Sequence, residues 1–287
     1  MRIAVLGAAG QLGRDLCSRL SGNVIPLSRL EIDLTRPGDI PSCVAALNVD
    51  AFINCAAYNF VDVAESEPEA AFAVNAWGVR TLASACRTSG IKLIHFSTDY
   101  VFGLDPTSKP LTEDDPPGPV GVYGLSKLAG EYLIRSISPD ALVIRTCGLY
   151  GVWGSGGKGG NFVETMLRLA EQGKPIPVVD DQRCTPSYTV DVAEATAALI
   201  RSGASGLFHV TNTGSCTWHE FAAEIFRQAK LTPQLKRITS EEFRRPAHRP
   251  SFSVLSTAKC TATVHSSPRP WPEALAAYLV ERQTKTH

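Results

Sequence analysis

Tyr123 and Lys127, four residues apart, are the side chains from which a chemical reaction is most directly derived. They begin an amphipathic stretch, residues 122–137, so in a helix both side chains would lie on one face, one turn apart. A phenol has an ordinary pKa of about 10, and a nearby ammonium group would stabilise the phenolate. The pair could therefore protonate a carbonyl oxygen while a hydride reaches the carbon. The alternative is an ordinary amphipathic helix with an exposed lysine.

A glycine-rich turn follows the first predicted strand. Residues 2–6 form an apolar run suited to a strand buried on both faces, and Gly7, Gly10 and Gly13 precede an apolar-periodic helix. Gly7 permits a tight turn, Gly10 lets the backbone approach a ligand, and Gly13 lets the helix pack against the strand. Free N–H groups at the helix N-terminus would bind a pyrophosphate. The pattern predicts a dinucleotide-binding loop, with a structural turn as the alternative.

The end of the second predicted strand, residues 24–27, bears on cofactor choice. Arg29 stands where a protein selective for NAD often carries an acidic residue. It could pair with the 2′-phosphate of NADPH, or it could be a solvated surface arginine. Asp33 and Leu34, further along, could border the adenine. The predicted cofactor is NADPH, with NADH as the alternative.

Small residues end the next buried run, residues 51–57. Ala56 and Ala57 would let the backbone lie against a cofactor ribose, and they would equally suit close packing in the sheet. The following apolar periodicity predicts a long helix over residues 67–87.

Polar side chains follow the predicted strand at residues 91–96. Thr98 and Asp99 would lie at the carboxyl end of that strand, where ligands bind in doubly wound sheets. Thr98 could offer its hydroxyl to the carbonyl that Tyr123 would protonate, and Asp99 could accept hydrogen bonds from sugar hydroxyls. The same residue types also favour ordinary turns.

The alternation of strands and helices predicts the fold class and its division. We expect an α/β protein with a doubly wound parallel sheet (Rossmann) over residues 1–147 and a smaller C-terminal substrate-binding domain over residues 148–287. About residues 176–205 are expected to return to the Rossmann layer.

Two features of the C-terminal half could contact a ligand. Residues 151–160 contain six glycines and Trp153, which suggests a lid over a planar group or a plain flexible connector. Arg244, Arg245 and Arg249 form a local basic cluster. The cluster could face the phosphates of a nucleotide-linked substrate, or it could be a solvated loop.

Composition argues against several classes of protein. Lys plus Arg and Asp plus Glu number 28 each among 287 residues, so no global field favours nucleic acid or an anionic membrane. The apolar runs are strand-sized, so neither a signal peptide nor a membrane span is expected. The eight cysteines form no Cys-x-x-Cys pair, which predicts reduced thiols in a cytoplasmic protein and no zinc site.

Three motifs together resemble the extended short-chain dehydrogenase/reductase superfamily: the glycine turn, the stretch at residues 97–102, and the Tyr123–Lys127 pair. Longer stretches narrow the resemblance to the dTDP-4-dehydrorhamnose reductase family. These stretches are residues 54–68, 122–131, 179–182 and 245–256.

The resemblance implies reduction of the C4 ketone of dTDP-4-dehydro-L-rhamnose with NADPH or NADH. Tyr123 would be the proton donor, while Lys127 would lower the pKa of Tyr123 and hold the nicotinamide ribose. Thr98 would complete the catalytic set. With the residues above, the expected cofactor contacts are Gly7, Gly10, Gln11, Leu12, Gly13, Arg29, Asp33, Leu34, Ala56, Ala57, Tyr58, Phe96, Tyr123 and Lys127. The expected substrate contacts are Thr98, Asp99, Tyr123, Trp153, Asn161 and Arg249.

The chain departs from this family at three places. Gly148 stands where members often carry a tryptophan over the substrate, and Trp153 could replace it. Asp15 and Val190 stand where some members bind magnesium through glutamates, so no metal is expected. The arginine-bearing tail, residues 245–249, differs from the usual form, so the substrate range could have drifted.

Two other functions are compatible with these motifs. One is a nucleotide-sugar epimerase or dehydratase of the same architecture, although Asp99 followed by Tyr100 argues against a dehydratase. The other is a non-catalytic NADP-binding regulatory subunit, like that of methionine adenosyltransferase. The expected partner is a dTDP-sugar, and the expected state is a monomer or a homodimer.

Overall fold

The computed structural model describes residues 1–104, 108–154 and 160–285. The strands, in chain order, are β1 (Arg2–Leu6), β2 (Asn23–Leu27), β3 (Ala51–Asn54), β4 (Lys92–Thr98), β5 (Leu142–Thr146), β6 (Leu149–Tyr150), β7 (Ile176–Val179), β8 (Arg183–Cys184), β9 (Ser187–Tyr188), β10 (Gly206–His209), β11 (Cys216–Thr217) and β12 (Leu235–Ile238).

The α-helices connect and cover these strands. In chain order they are α1 (Gln11–Arg19), α2 (Ile40–Leu47), α3 (Val61–Ala64), α4 (Pro68–Phe72), α5 (Val79–Thr88), α6 (Val122–Ile137), α7 (Phe162–Ala170), α8 (Thr189–Arg201), α9 (Trp218–Ala229), α10 (Ser240–Phe243), α11 (Ala258–Val264) and α12 (Trp271–Lys285). A π-helical turn, Ala73–Gly78, joins α4 to α5, and a 3-10 turn, Asp99–Val101, follows β4.

A six-stranded parallel sheet forms the centre of the first lobe. Its strands lie in the order β2-β1-β3-β4-β5-β10. The chain leaves β1 for β2 on one side and returns to β3 on the other, which creates a crevice between the carboxyl ends of β1 and β3. The residues of β3 and β5 are buried throughout, as expected for strands with helices on both faces.

Helices cover both faces of this sheet. The first apolar core lies beneath α2, α5 and α6, and it includes Val44, Leu82 and Ile134. The second lies beneath α1, α8 and α11, and it includes Leu16 and Leu199 among its buried side chains. The predicted α/β class with a doubly wound parallel sheet is therefore confirmed.

The long helix predicted over residues 67–87 is present, but it contains the π-helical turn Ala73–Gly78. Asn75 lies in this turn and is buried, and its side-chain amide bonds both backbone groups of Tyr58 at 2.9 Å. The turn thus fixes the chain that leaves β3. Wider π turns occur often at functional sites.

The second lobe has an aromatic core. Tyr150, Tyr188, Tyr278 and Phe221 are fully or almost fully buried there, between short strand pairs and helices α7, α9 and α12. The strand pairs are β6 with β9, β7 with β12, and β8 with β11.

The segment that returns to the first lobe differs from the predicted residues 176–205. Strand β7 pairs with β12 in the second lobe, whereas α8 packs on α1 and β10 joins the main sheet next to β5. Helix α11 also returns, because Cys260 lies in the second core of the sheet. The domain boundary at residue 147 stays a prediction.

None of the helices that the structure describes is both long and apolar enough to cross a lipid bilayer. All eight cysteines carry free thiols.

Candidate active site

Helix α6 is fixed at its start by contacts with two other segments. The backbone N–H of Val122 donates to Glu65 Oε1 at 2.9 Å. A Cβ on Gly124 would lie 2.1 Å from the carbonyl oxygen of Tyr100, so the helix approaches the turn after β4 more closely than any side chain would allow. These contacts hold the Tyr123 and Lys127 side chains at the carboxyl edge of the sheet.

Lys127 is buried, with 2% of its surface exposed. Its Nζ donates to the carbonyl oxygen of Phe96 at 2.6 Å and lies 3.3 Å from His95 Nε2. Burial lowers the pKa of Lys127 to about 8, although the charges of Glu131 and Cys55 act in the opposite direction.

The pKa of Tyr123 is displaced in the opposite direction. Burial raises the pKa of Tyr123 to about 12, a hydrogen bond with Thr98 lowers it, and the charge of Asp99 raises it further. Burial dominates, so the net shift is upward in the protein without cofactor, and the expected lowering by Lys127 stays a prediction. The consequence is a phenol that keeps its proton at neutral pH and a buried ammonium that is the stronger acid of the pair.

A cavity of about 360 Å³ lies over the glycine turn and reaches both of these side chains. Nine of the predicted cofactor contacts line it, namely Gly7, Gly10, Gln11, Leu12, Gly13, Ala57, Phe96, Tyr123 and Lys127. Cys55, Asn59, Thr146 and Leu149 are among its other lining residues. We call this space the glycine cavity.

The backbone around the glycine cavity suits a diphosphate. A Cβ on Gly7 would lie 2.9 Å from the N atom of Ala56, and a Cβ on Gly13 would lie 2.3 Å from the Gly7 carbonyl oxygen. Gly10 precedes α1 without a side-chain cap, and the first turn of α1 has no acidic residue. The N–H groups of that turn are therefore available to an anionic group.

Other predicted cofactor contacts lie elsewhere. Arg29 and Asp33 line a separate cavity of about 510 Å³, where Arg29 Nε donates to Asp33 Oδ2 at 3.0 Å. Leu34 is buried, and Tyr58 directs its hydroxyl to Glu67 at 3.0 Å. Leu34, Ala56 and Tyr58 do not line the glycine cavity, and their contact with a cofactor stays a prediction.

Asp99 supports Thr98 instead of reaching into a cavity. One carboxylate oxygen accepts from the Thr98 hydroxyl at 3.1 Å, and the other accepts from Ser253 at 2.5 Å and from Cys147 at 3.0 Å. Burial raises the pKa of Asp99, and these hydrogen bonds lower it. Its predicted contact with sugar hydroxyls therefore stays a prediction. Sequence reasoning assigned no role to Cys147 or Ser253, which no spacing rule connects to Asp99.

A larger cavity of about 930 Å³ lies between the two lobes, and we call it the interlobe cavity. It is lined by Phe60, Val61, Asp62, Val63, Tyr100, Phe162, Met166, Pro177, Val178, Val179, Gln182, Trp218, Ser240, Glu241, Phe243, Arg244, Arg245, Ala247, His248 and Arg249. Apolar and aromatic side chains therefore face an arginine cluster across this space.

Two arginines of the cluster form ion pairs with Asp62. Arg249 donates to Asp62 Oδ1 at 2.9 Å, and Arg245 lies 3.9 Å from the other carboxylate oxygen. Arg244 and Arg245 are exposed, so the cluster keeps positive charge at the cavity wall. The predicted substrate contact Arg249 is thus a lining residue of the interlobe cavity.

Two predicted substrate contacts have structural partners instead. The indole N–H of Trp153 donates to Asp15 Oδ1 at 2.9 Å, beside Arg14 on α1. The Asn161 side chain caps α7 and donates to the carbonyl oxygen of Gly151 at 2.9 Å. Neither residue is among those that line the interlobe cavity. The predicted lid at residues 151–160 falls in part outside the described residues, which omit 155–159.

Trp218 lies beside Gly148, the position at which family members often carry a tryptophan. It lines the interlobe cavity, and its ring lies 3.6 Å from where a Gly148 Cβ would be. Gly148 itself has a φ of +54°, a backbone conformation that larger side chains rarely adopt. The signal in the sequence was weak, because Trp218 reads equally well as a core residue of α9.

Two packed tyrosines connect the walls of the two cavities. The ring of Tyr123 lines the glycine cavity and packs edge-to-face, at 5.8 Å between centroids, on Tyr100, which lines the interlobe cavity. In the part of the chain that the structure describes, no three His, Cys, Asp or Glu side chains gather as a metal site.

The RmlD substrate binding domain family model matches residues 1–284. The dTDP-4-dehydrorhamnose reductase of Streptomyces griseus is 41% identical over 286 residues, covering 96% of this chain and 91% of the relative. The dTDP-4-keto-6-deoxy-D-glucose reductase of Streptomyces niveus is 38% identical and covers 88% of each chain.

Solved structures agree with the sequence relatives. The dTDP-4-dehydrorhamnose reductase of Bacillus anthracis, solved in complex with NADP, is 35% identical, with a TM-score of 0.91 over 98% of this chain and 99% of that chain. Geometry, family model and relatives lead to one conclusion: the chain belongs to the dTDP-4-dehydrorhamnose reductase family.

Proposed function

We propose that the protein reduces the C4 ketone of dTDP-4-dehydro-β-L-rhamnose to dTDP-L-rhamnose with NADPH, in dTDP-rhamnose biosynthesis. The observation that carries this proposal is the contact between Tyr123, which lines the glycine cavity, and Tyr100, which lines the interlobe cavity. A reductase of this kind needs its proton donor where cofactor and ketone meet. The relative from Streptomyces griseus, which is named for this activity, supports the same assignment.

Three side chains handle the proton that the reaction consumes, namely Tyr123, Thr98 and Lys127. A bound reduced nicotinamide supplies the hydride. Tyr123 donates its proton to the ketone oxygen, and burial keeps that proton in place until the charge on the oxygen develops. Thr98 has a single hydroxyl proton, which it donates to Asp99 in the protein without ligands. Donated to Tyr123 instead, the same proton lowers the pKa of the phenol and favours release of its proton. Lys127 lies one helical turn away, where it can hold the cofactor ribose and restore the proton to Tyr123.

The glycine cavity fits the cofactor diphosphate, because its walls are backbone atoms and the uncapped start of α1. NADPH is the proposed cofactor, and the relative solved with NADP supports it. Arg29 is exposed and belongs to a neighbouring cavity, so it would have to turn from Asp33 to meet a 2′-phosphate.

The interlobe cavity fits a nucleotide sugar. Its volume of about 930 Å³ is of the size that ligand pockets have, and its aromatic lining can stack on a base. The arginines at its wall can bind a diphosphate through charge-assisted hydrogen bonds.

The direct test uses enzymatically generated dTDP-4-dehydrorhamnose with NADPH or NADH, followed at the absorbance band of the reduced cofactor. We expect oxidation of NADPH that depends on the sugar and stoichiometric formation of dTDP-L-rhamnose. No oxidation with either nicotinamide, by protein that still binds NADP⁺, would refute the reductase and leave a binding protein.

A second candidate is reduction of a different dTDP-4-keto sugar, because the relative from Streptomyces niveus is named a dTDP-4-keto-6-deoxy-D-glucose reductase. The same assay separates the two candidates when both ketones are supplied at equal concentration. A higher kcat/KM for the dTDP-4-keto-6-deoxy-D-glucose would favour the second.

We also propose that the protein works in the cytoplasm as a monomer or a homodimer. Its eight free thiols support a reducing compartment. Light scattering after gel filtration would measure the oligomeric state, and a tetramer or larger assembly would contradict it.

A further inference from the structure

His95 is a buried histidine behind the catalytic lysine, and the proposed mechanism so far gives it no task. It lies on β4, is fully buried, and has a polar neighbour at each ring nitrogen. Asn54 Nδ2 lies 3.1 Å from His95 Nδ1, and Lys127 Nζ lies 3.3 Å from His95 Nε2. The three side chains form a line from β3 through β4 to α6.

The hydrogen bonds of Asn54 fix the direction of this line. Asn54 Oδ1 accepts from the backbone N–H of Ala56 at 3.0 Å, so its Nδ2 must be the atom that faces His95. Nδ2 is a donor, and therefore His95 Nδ1 must accept. A neutral imidazole with an accepting Nδ1 carries its proton on Nε2.

The protonation state of His95 is consistent with this reading. Burial and the positive charge of Lys127 lower the pKa of His95 well below its ordinary value, so the ring is neutral at pH 7. Its Nε2–H then points at Lys127 Nζ. An ammonium group has no lone pair to accept this hydrogen, whereas a neutral amine has one.

We propose that Asn54 holds His95 as the Nε2–H tautomer and that this N–H stabilises Lys127 as a neutral amine within each turnover. His95 and Asn54 are thus positioning residues that act through Lys127. The inference rests on the proposed function, because it concerns the proton that the reductase consumes.

Each turnover consumes one proton and restores every side chain to its starting state. Tyr123 loses its proton to the ketone oxygen and becomes a phenolate. The Lys127 ammonium gives a proton to the phenolate, which restores the phenol and leaves a neutral amine. The amine lone pair accepts the His95 Nε2–H, and Lys127 regains its own proton from solvent before the next turnover. The two groups differ in the required direction, since Tyr123 holds its proton more strongly than Lys127 does.

Other titratable groups around Lys127 only partly oppose the stabilisation of its neutral amine. Glu131, one turn further along α6, and Cys55, in the loop after β3, both raise the pKa of Lys127. The Glu131 carboxylate is itself bound by Arg145 of β5, through bonds of 2.7 to 3.2 Å, and by the Ser97 hydroxyl. The charge of Glu131 is therefore shared with Arg145, which leaves His95 as the group in contact with Nζ that favours the amine.

The first test reads the tautomer directly by ¹⁵N NMR of the histidine rings, and it requires no substrate. We expect protonated Nε2 and bare Nδ1 for His95 at pH 7, with and without NADP⁺. His209 is the internal control, because its Nδ1 faces the carbonyl oxygen of Leu111 at 3.1 Å and must carry the proton. Signals are assigned by their loss in His95→Gln and His209→Gln. An Nδ1–H tautomer or an imidazolium at His95 would overturn the inference.

The second test reverses the tautomer with Asn54→Asp. The new carboxylate keeps the bond from the Ala56 N–H and accepts from His95 Nδ1–H, so Nε2 becomes an acceptor for the Lys127 ammonium. The alkaline limb of the kcat profile should then move up by about one pH unit or more. Plateau kcat should fall by roughly tenfold, with KM little changed. A limb that stays in place, in a variant with the reversed tautomer, would refute the role in turnover.

The two proposals fail differently. Absence of ketone reduction in the wild-type protein would overturn the proposed function, and with it the part of the inference that concerns turnover. The wrong ring nitrogen in the spectrum would overturn the inference alone.

Discussion

Tyr123 and Lys127 have pKa values that the same burial displaces in opposite directions, since burial penalises the charged form of each. The phenol is neutral when protonated and keeps its proton. The ammonium is charged when protonated and loses its proton more easily. Burial alone therefore makes Lys127 a stronger acid than Tyr123, so that Lys127 can return a proton to Tyr123 after Tyr123 has donated its own.

The first prediction concerns the phenol. Tyr123→Phe should lower kcat by roughly 10²-fold or more, because a positioned general acid contributes on that scale. Affinity for NADPH should change little, since phenylalanine keeps the ring packed on Tyr100. Steady-state kinetics and fluorescence titration of NADPH would measure both. Wild-type turnover in this variant would remove Tyr123 from its assigned role.

The second prediction concerns the stability cost of the buried ammonium. The pKa of Lys127 is lowered from 10.5 to about 8 on folding, so between those values the unfolded chain binds a proton that the folded protein does not. The free energy of unfolding should therefore rise from pH 8 to pH 10.5, by on the order of 3 kcal/mol from this group. Below pH 8 Lys127 is protonated in both the folded and the unfolded protein, so the full free-energy cost of burying the ammonium remains.

Lys127→Met is the variant that isolates this contribution, because methionine is apolar and does not titrate. The free energy of unfolding of both proteins is measured with urea in the absence of cofactor. The variant should exceed the wild type by the largest amount below pH 8, and the difference should shrink towards pH 10.5. A difference that does not change with pH would show that the folded and unfolded pKa values are the same.

At the scale of elements, the position of α6 depends on glycines that touch backbone. A Cβ on Gly130 would lie 2.2 Å from the carbonyl oxygen of Asn75, in the π-helical turn Ala73–Gly78. Neither backbone can move without carrying its helix. The close approach therefore fixes the distance between the helix that bears the catalytic pair and the turn that clamps Tyr58.

The third prediction follows from this contact. Gly130→Ala should lower the free energy of unfolding by up to about 2 kcal/mol, because an overpacking cost of about 1–3 kcal/mol is offset in part by a helix-propensity gain of about 1 kcal/mol. Gly38→Ala is the matched control, since a Cβ there would meet nothing within 4 Å. The control should be neutral or slightly stabilising. Equal effects of the two substitutions, in urea unfolding, would contradict the packing argument.

Elements were predictable where local pattern decides them. The apolar runs of β1, β3 and β4 identified buried strands, and the period of α6 identified the helix with both catalytic side chains. The pattern could not say which strand pairs with which. Strand β7 has the apolar character of a sheet strand, yet its partner is β12 in the second lobe. Pairing is a tertiary property, so β7 was wrongly included in the returning segment, whereas α8 in the same segment does pack on the first lobe.

At the scale of the whole molecule, the site depends on contacts that span most of the chain. Ser253 reaches Asp99 across 154 positions, and Arg249 reaches Asp62 across 187. Such distant pairs follow no spacing rule in a single sequence, so their partners could not be predicted, although the local basic cluster and the resemblance to a family both pointed to this tail. The glycine turn, which is local, could be predicted residue by residue.

The second lobe closes one wall of the interlobe cavity, and its aromatic side chains face the first lobe across that space. Phe162 and Trp218 pack with ring centroids 4.8 Å apart and line the cavity together. Trp153, the tryptophan favoured from the sequence, is bonded to Asp15 on α1 instead. We therefore expect Trp218, which lines the interlobe cavity, to stack on a nucleotide or a sugar.

The fourth prediction compares the two tryptophans with matched substitutions. Trp218→Leu should raise KM for the dTDP-sugar by about tenfold or more, since stacking of a base on an aromatic ring contributes about 1–3 kcal/mol. Leucine keeps apolar bulk against Phe162, so KM for NADPH should stay within about twofold. Trp153→Leu should leave KM for the sugar nucleotide unchanged, because its ring contacts Arg14 and Asp15. The reverse pattern would return the substrate contact to Trp153.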